Sequence, residues 1–375
     1  MPTPRHVVLN AMFLDPGVSG GPETYLRGLA PALRLAFPET RFEVATTRRG
    51  SAALRRDGWT DITTFRADEG QRLRRAAAEL VSVARHARLT GADLVHDLVA
   101  TGAPWTPGVR HVATLHDVTF FHHSTFAAVT TLAMRGLITG SVRDADALVT
   151  GAAAARDDAV ATLGLAPERF TVVHHGTRPI GPAAPEDEVR ATFDLPRGRP
   201  VVLNVATKRP HKNQELLLRA LPLMAEREAI LVLAGHPEAY DVELRAIADE
   251  LQITERVRFA DRVADVELEA LWKLAAAAAF PTRAEGFGLP VIEALARGVP
   301  VACSDIPVLR EVGGDFVRPF DPDDPPGAAA ALDGAIDEPF RGGAEAARAY
   351  GRSFTWERAA RETFAVYERA CSTSA

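Results

Sequence analysis

Residues 285–293 contain the side chains whose spacing most clearly indicates a chemical function. Glu285 and Glu293 lie on either side of a glycine-rich turn, and Pro290 stands where a helix would begin, because its missing N–H costs nothing in a first helical turn. Glycines at a helix N-terminus let backbone amides approach an anion closely, and the helix dipole favours negative charge there. The amides concerned are those of Gly286, Phe287, Gly288 and Leu289. The segment therefore predicts a phosphate site.

The two glutamates add hydroxyl-binding groups on both sides of that phosphate. Glu285 falls in the loop and Glu293 falls inside the predicted helix. Ionised carboxylates accept hydrogen bonds from hydroxyl groups. A nucleotide-sugar presents a hexose, a pyrophosphate and a ribose in that order, so the segment predicts nucleotide-sugar binding.

Lysine usage indicates a second functional segment. Among the 43 basic residues only Lys208, Lys212 and Lys273 are lysines, and the first two lie in Lys-Arg-Pro-His-Lys at 208–212. This loop follows a predicted strand at 200–206, so it lies at a strand's carboxyl end, where open α/β sheets bind ligands. A lysine ammonium is a compact point charge that suits a phosphate. The alternative is a solvated helix start.

Residues 285–293 resemble the E-x7-E signature of the retaining glycosyltransferases of family 4, which have the GT-B fold. The match continues through Ala-Arg-Gly-Val-Pro-Val at 296–301 and Glu-Val-Gly-Gly-Asp at 311–315. The resemblance implies retaining, metal-independent transfer of a hexosyl group from a GDP- or UDP-sugar to an acceptor hydroxyl. It is strongest to bacterial mannosyl- and rhamnosyl-type members that build polysaccharides.

The resemblance also assigns roles to single residues. Glu285 would bind the transferred sugar, Glu293 the ribose and Lys212 the donor diphosphate. His116, in Leu-His-Asp at 115–117, resembles the family histidine that lies against the sugar. A satisfied buried histidine is the alternative for His116.

The loop before Lys212 departs from the family pattern. Thr207 stands where many members have an arginine. A second cation for the leaving group would then have to come from Lys208 or Arg209, and the sequence leaves both open.

Two further backbone segments are expected to contact the donor. Gly20 and Gly21 match the family's N-terminal glycine pair, and the surrounding loop lacks the full G-x-G-x-x-G of a nicotinamide dinucleotide site. Recognition of the base is expected at Gly235 and Val263, within loops 235–237 and 262–264, largely through the backbone.

No metal or other cofactor is predicted. The histidines at 111, 116, 122 and 123 match no common zinc spacing, and no cysteine lies near them. Asp-x-Asp triplets occur at 144–146 and 321–323, but such triplets arise easily by chance among 49 acidic residues.

Composition is that of an ordinary globular protein, with 47% hydrophobic residues, 25% charged residues and a net charge of −6. Nucleic-acid binding is disfavoured, and two cysteines rule out a disulfide framework. The first apolar run is interpreted as a strand and not as a signal peptide, which favours a cytoplasmic location. The basic stretch at 71–88 is either a solvated face or a peripheral contact with the inner face of a membrane.

Short apolar runs alternate with helical patterns along the whole chain, which predicts an α/β fold of parallel sheets covered by helices. Strands are predicted near 6–14, 41–47, 93–98, 111–115, 146–150, 170–174, 200–206, 229–234, 256–260, 277–281 and 299–304. With the GT-B resemblance this implies two doubly wound domains that face each other across a cleft. The predicted domains are 1–180 on the acceptor side, 181–354 for the nucleotide-sugar, and a C-terminal helix, 355–375, that crosses back to the N-terminal domain.

Two other functions remain open at this stage. A nucleotide-sugar epimerase on the same fold would form product without an acceptor. An inactive nucleotide-sugar-binding subunit, suggested by Thr207, would bind donor without turnover. The acceptor itself, whether glycan, lipid-linked sugar or small molecule, is not visible in the sequence.

Overall fold

A computed structural model describes residues 3–66, 78–102, 108–122, 128–338, 340 and 343–372. The chain forms two compact units. The first comprises Met1–Gly176 and Thr355–Ala375, and the second comprises Thr177–Phe354. Within the described residues, no helix combines the length and the apolarity needed to cross a membrane.

The described part of the first unit contains a seven-stranded sheet in the order β3-β2-β1-β4-β5-β6-β7, and its neighbouring strands are parallel. The strands are β1 (His6–Asn10), β2 (Arg41–Thr47), β3 (Ile62–Phe65), β4 (Leu94–Asp97), β5 (Arg110–Thr114), β6 (Ala147–Thr150) and β7 (Phe170–Val172). All five residues of β1 are buried, because helices cover both faces of a parallel sheet.

The described part of the second unit contains a six-stranded parallel sheet in the order β10-β9-β8-β11-β12-β13. Its strands are β8 (Val201–Val205), β9 (Ile230–Ala234), β10 (Val257–Ala260), β11 (Ala275–Phe280), β12 (Val301–Ser304) and β13 (Val317–Phe320). The predicted α/β class with two doubly wound parallel sheets is therefore confirmed.

Helices pack on both sheets, and α7 to α14 belong to the second unit. The helices are α1 (Gly21–Ala36), α2 (Arg48–Arg56), α3 (Ala84–Leu89), α4 (Thr119–His122), α5 (Ala128–Asp144), α6 (Ala153–Leu163), α7 (Glu186–Thr192), α8 (Gln214–Ala220), α9 (Tyr240–Glu250), α10 (Asp265–Leu274), α11 (Leu289–Arg297), α12 (Pro307–Gly313), α13 (Pro325–Asp337), α14 (Ala344–Arg352) and α15 (Trp356–Ser372). A π-helix, Ala78–Val83, precedes α3.

The last helix, α15, packs on α1 within the first unit. The rings of Phe37 and Phe364 stack with their centroids 3.6 Å apart. The indole of Trp356 lies so close to Gly28 that a Cβ there would be 2.0 Å from the ring. The glycine thus permits the close approach of α15 to α1.

A buried histidine links α15 to the sheet of the first unit. His96 on β4 contacts the Tyr367 hydroxyl at 2.6 Å through Nδ1 and the Thr114 hydroxyl at 2.7 Å through Nε2. Burial lowers the pKa of His96 to about 3, so the ring is neutral in the folded protein at ordinary pH.

We expect this histidine to make stability depend on pH. The unfolded chain takes up a proton at His96 below about pH 6.5, whereas the folded chain does so only near pH 3. The free energy of unfolding should therefore fall as the pH decreases below 6.5, by about 1 kcal/mol between pH 6.5 and pH 5.5. Urea denaturation at pH 6.5 and 5.5 measures this fall, which should be smaller in His96→Gln. An equal fall in both proteins would contradict the assignment.

The second sheet reverses its winding direction between β8 and β11. From β8 the chain proceeds outward to β9 and β10, whereas β11 lies on the opposite side of β8 and leads to β12 and β13. Ligands of open α/β sheets bind outside the carboxyl ends of the strands at such a switch point. The loops that leave the sheet there are 206–213 after β8 and 281–288 after β11.

Candidate functional site

Helix α11 begins directly behind the loop that follows β11. Its N-cap is Gly288 with φ +93°, a conformation that glycine adopts without strain. A Cβ at this position would also lie 2.7 Å from Cδ2 of Leu309. The first amides of a helix have no partner within the helix, so the turn from Gly286 to Leu289 can present N–H groups to an anion.

Hydrogen bonds join the basic loop, residues 206–213 after β8, to the loop 281–288 after β11, which leads into the glycine turn formed by Gly286 to Leu289. The His211 carbonyl accepts from the Arg283 amide at 2.8 Å and from the Thr282 hydroxyl at 3.1 Å. Asn213 adopts a left-handed conformation with φ 56° and donates through Nδ2 to the Pro281 carbonyl at 3.0 Å. Loops that follow two different strands are thereby held in one position.

As a result, the predicted cation and the first predicted carboxylate meet. Nζ of Lys212 lies 2.6 Å from Oε2 of Glu285, and the two side chains are 20% and 18% exposed. Lys212 ends the 3-10 turn Pro210–Lys212, and Glu285 immediately precedes the glycines. A positive and a negative group therefore stand together at the N-terminus of α11, both still accessible to a ligand.

The second predicted carboxylate lies inside α11 and is buried. Glu293 is only 4% exposed, and its Oε1 accepts a hydrogen bond of 3.1 Å from Nε of Arg178. Nη1 of Arg178 also lies 3.3 Å from Asp265, which is 92% exposed. Sequence reasoning did not identify Arg178. Its only signal was an arginine within the glycine- and proline-rich segment 176–185.

The structure separates the two candidates for the second cation. Lys208 is fully buried, and its Nζ donates to the Gly235 carbonyl and to Asp261, both at 2.8 Å. Arg209 is 46% exposed and pairs with Glu238 at 2.6 Å. The ammonium of Lys208 is thus used inside the unit, and Arg209 has the more accessible charge.

The three remaining donor-loop positions, Thr207, Gly235 and Val263, follow β8, β9 and β10. Gly235 follows β9 with φ +149°, and a Cβ there would lie 2.1 Å from the carbonyl oxygen of Ala206. A side chain at this position would separate the loops after β8 and β9. Thr207 and Val263 are both half-buried, so part of each side chain remains accessible.

His116 lies in the first unit, after β5. Its Nε2 lies 2.9 Å from the Leu98 carbonyl, to which it donates, and its ring meets the Tyr25 ring edge-on at 5.0 Å. Burial lowers the pKa of His116. The ring is therefore neutral at pH 7, with the proton on Nε2 and an acceptor lone pair on Nδ1.

Gly20 and Gly21 lie in the first unit at the start of α1. Gly20 is the N-cap with φ 61°, and no described residue lies within 4 Å of a Cβ built at either glycine. The carboxylate of Glu23 in the first turn accepts from the Gly17 amide at 2.8 Å. The loop is thus anchored to α1 through Glu23, and its backbone at Gly20 and Gly21 is accessible.

The sequence predicts no metal site. In the described ranges, no group of three or more His, Cys, Asp or Glu side chains is arranged to hold a metal ion; His123 lies outside them. The Asp-x-Asp carboxylates make protein contacts: Asp146 accepts from the His111 amide at 2.8 Å, and Asp321 from the Asp323 amide at 2.8 Å.

The predicted basic stretch at 71–88 is only partly described. Residues 71–77 lie outside the described residues. In the remainder, Val81 is 64% exposed and Arg85 and Arg88 are exposed; Leu89, which directly follows the stretch, is 72% exposed. Peripheral membrane contact through this stretch stays a prediction.

Comparisons with known proteins find glycosyltransferase family models along most of the chain. The family model described as Glycosyltransferase Family 4 matches residues 19–179, and that described as Glycosyl transferases group 1 matches residues 185–354. The chain is 33% identical over 171 residues to the O-antigen chain mannosyltransferase B of Escherichia coli, covering 44% of this chain and 45% of that protein. It is 30% identical over 291 residues to the D-inositol 3-phosphate glycosyltransferase of Salinispora tropica, covering 70% and 60%.

The chain thus spans only 45% to 60% of the length of these two curated relatives. Among solved structures it resembles Anabaena HepE in complex with UDP and glucose, with a TM-score of 0.77 and 18% identity over 97% of this chain and 100% of that one. At this identity the likeness concerns the fold.

Proposed function

We propose that this chain, which matches glycosyltransferase family models over residues 19–179 and 185–354, transfers a hexosyl group from a GDP- or UDP-sugar to an acceptor hydroxyl, with retention and without a metal. The observation that carries the proposal is the meeting of Lys212 and Glu285 at 2.6 Å beside the glycine-lined N-terminus of α11. The site lies at the switch point of the second sheet, where this class of fold binds ligands.

The leaving diphosphate would be stabilised by a fixed positive environment. The amides of the turn from Gly286 to Leu289 would donate hydrogen bonds to it, and the Lys212 ammonium would add a full charge. Such donors act mainly where charge develops, so they lower the barrier to departure more than they strengthen ground-state binding. Phe287 holds the turn in place, since its ring is 4% exposed and packs edge-on against Phe354.

The two carboxylates would bind hydroxyl groups on either side of the diphosphate. Glu285, partly exposed, would accept from hydroxyls of the sugar and lose its contact with Lys212 as the phosphate takes the ammonium. Glu293, buried in α11, would accept from the ribose hydroxyls. Nδ1 of His116 would accept a hydrogen bond from a sugar hydroxyl, which requires the neutral ring that burial favours.

Retention is proposed to occur on one face of the sugar. The bond from the anomeric carbon to the diphosphate oxygen breaks first, and the acceptor oxygen then attacks the short-lived oxocarbenium-like species from the same side. The acceptor proton passes to the departing phosphate. NMR of the product's anomeric proton tests this step, and an inverted configuration would rule it out.

The donor site is tested by thermal stabilisation with UDP, GDP, their sugars and EDTA. A ligand present at 100 times its Kd stabilises the folded state by about 2.7 kcal/mol. We expect a rise in Tm that is selective for one nucleotide, persists in EDTA and disappears in Glu293→Ala. A rise that requires a divalent metal would contradict the metal-independent mechanism, and no rise with any nucleotide would contradict the proposed site.

A second candidate, an inactive nucleotide-sugar-binding subunit, is favoured by one observation. Thr207 replaces the family arginine, and the neighbouring Lys208 is buried against Asp261. The second cation must then come from Arg209, which would have to leave Glu238. Donor binding with no nucleotide release in the presence of glycan, lipid-linked and small-molecule acceptors would support this alternative.

The sugar and the acceptor are proposed from the relatives. The names of curated relatives include mannosyltransferases and inositol phosphate glycosyltransferases, and the HepE complex contains UDP. A mannosyl-type donor and a polysaccharide-building role are therefore the first combinations to assay.

A further inference from the structure

Glu293, which the proposed function assigns to the ribose, is almost completely removed from solvent. A buried carboxylate is costly unless a cation or hydrogen-bond donors compensate it. The partner is Arg178, whose Nε donates to Oε1 at 3.1 Å. In the described chain, Oε2 of Glu293 accepts no hydrogen bond from the protein. Arg178 therefore fixes the position of Oε1, and Oε2 can accept a hydrogen bond from a ligand.

The position of Arg178 is determined by neighbouring backbone contacts. Thr177 donates through its amide to the Phe354 carbonyl at 2.9 Å. The Phe354 ring packs against Phe287 in the glycine turn, with centroids 6.0 Å apart. Arg178 is therefore held relative to the same turn that would bind the diphosphate. Its second partner, Asp265, is 92% exposed, and screening makes exposed pairs weak, so Glu293 is the contact that matters.

We propose that Arg178 is a positioning residue for ribose recognition, acting by orienting the Glu293 carboxylate towards the ribose hydroxyls of the donor. This inference rests on the proposed function. Arginine suits the role because its guanidinium is always charged and holds a carboxylate in a fixed plane. Without it, Glu293 would be free to rotate, or would have to find another partner inside α11.

The test compares ribose and deoxyribose forms of the nucleotide. UDP and GDP are titrated calorimetrically against 2′-deoxy-UDP and 2′-deoxy-GDP. The wild-type protein should prefer the ribose form of its nucleotide by about tenfold or more, the range for a hydrogen bond to a charged group. Arg178→Gln should reduce this preference to about twofold or less, and Arg178→Lys should restore part of it.

Three further variants make the result specific. In Glu293→Ala the preference should already be lost, and adding Arg178→Gln should change it no further, because the arginine acts through the glutamate. Arg219→Gln is the matched control. Arg219 is 44% exposed and pairs with Glu215 on α8, compared with 40% for Arg178, and its removal should leave the preference unchanged.

The outcomes separate this inference from the proposed function. If Arg178→Gln weakens ribose and deoxyribose forms equally, Arg178 has only a structural role and the inference is wrong. The same holds if the wild-type protein binds both forms equally well. If the wild-type protein binds no nucleoside diphosphate, the proposed function fails first and this inference fails with it.

Discussion

Lys212→Ala should reduce the kcat for release of nucleoside diphosphate from the donor by about 100- to 1000-fold, the effect of losing one fixed donor at a developing negative charge. The Lys212 ammonium lies 2.6 Å from Glu285, and without it the leaving group would keep the amides at the start of α11 but lose the nearest full positive charge among the described residues. The loss should fall on kcat more than on KM, since charge develops as the bond breaks. Steady-state kinetics with the donor identified by thermal stabilisation measures both.

Lys273→Ala is the control for this prediction. Lys273 is an exposed lysine near the end of α10, and its removal should leave both constants within about twofold of wild type, because exposed substitutions seldom matter. Lys212→Arg keeps the charge but replaces the compact ammonium with a larger planar group, so partial recovery is expected. If Lys212→Ala retains wild-type kcat, the lysine does not stabilise the leaving group.

Gly351→Ala should lower the free energy of unfolding by about 3 kcal/mol, at the upper end of the range for overpacked sites. Gly351 lies on α14, where a Cβ would be 2.3 Å from the amide nitrogen and 2.8 Å from the Cα of Ala296 on α11. Both contacts are to backbone, so no side-chain rotation relieves them, and one helix must move. Because α11 carries Glu293 and the glycine turn, donor affinity should fall as well. Urea denaturation and nucleotide titration measure the two effects.

Gly136→Ala is the matched control for the helix glycine. Gly136 lies in α5 and is exposed, and none of the described residues comes within 4 Å of a Cβ built there. Alanine should therefore stabilise by about 0.5–1 kcal/mol, because it loses less chain entropy on folding than glycine. A Gly351→Ala protein as stable as wild type would show that the two helices can separate without cost.

The interior strands were predictable and two edge strands were not. β8, β9, β11 and β12 coincide closely with predicted apolar runs, because strands covered on both faces are continuously hydrophobic. β3 and β13 were missed, although each completes a sheet. β3 is Ile-Thr-Thr-Phe and β13 contains Pro319. Proline is tolerated at a sheet edge, and a half-exposed strand needs no apolar run.

The sequence by itself determined which residue types stand at the proposed site of the second unit. Glycines, a proline and two glutamates in 285–293 predict a phosphate-binding helix start through purely local backbone physics. The scarcity of lysine singled out 208–212. Both features are visible because each depends on neighbours within a few residues.

Only the tertiary structure decided which side chains meet. Lys212 contacts Glu285, 73 residues away, and Arg178 contacts Glu293, 115 residues away. The tertiary structure also distinguishes the two lysines of one loop. Lys208 is buried against Asp261, whereas Lys212 contacts Glu285 beside the glycine turn. Pairing of charges depends on burial and on distances between strand ends, which are set by sheet order, and a linear sequence does not contain that order in any local pattern.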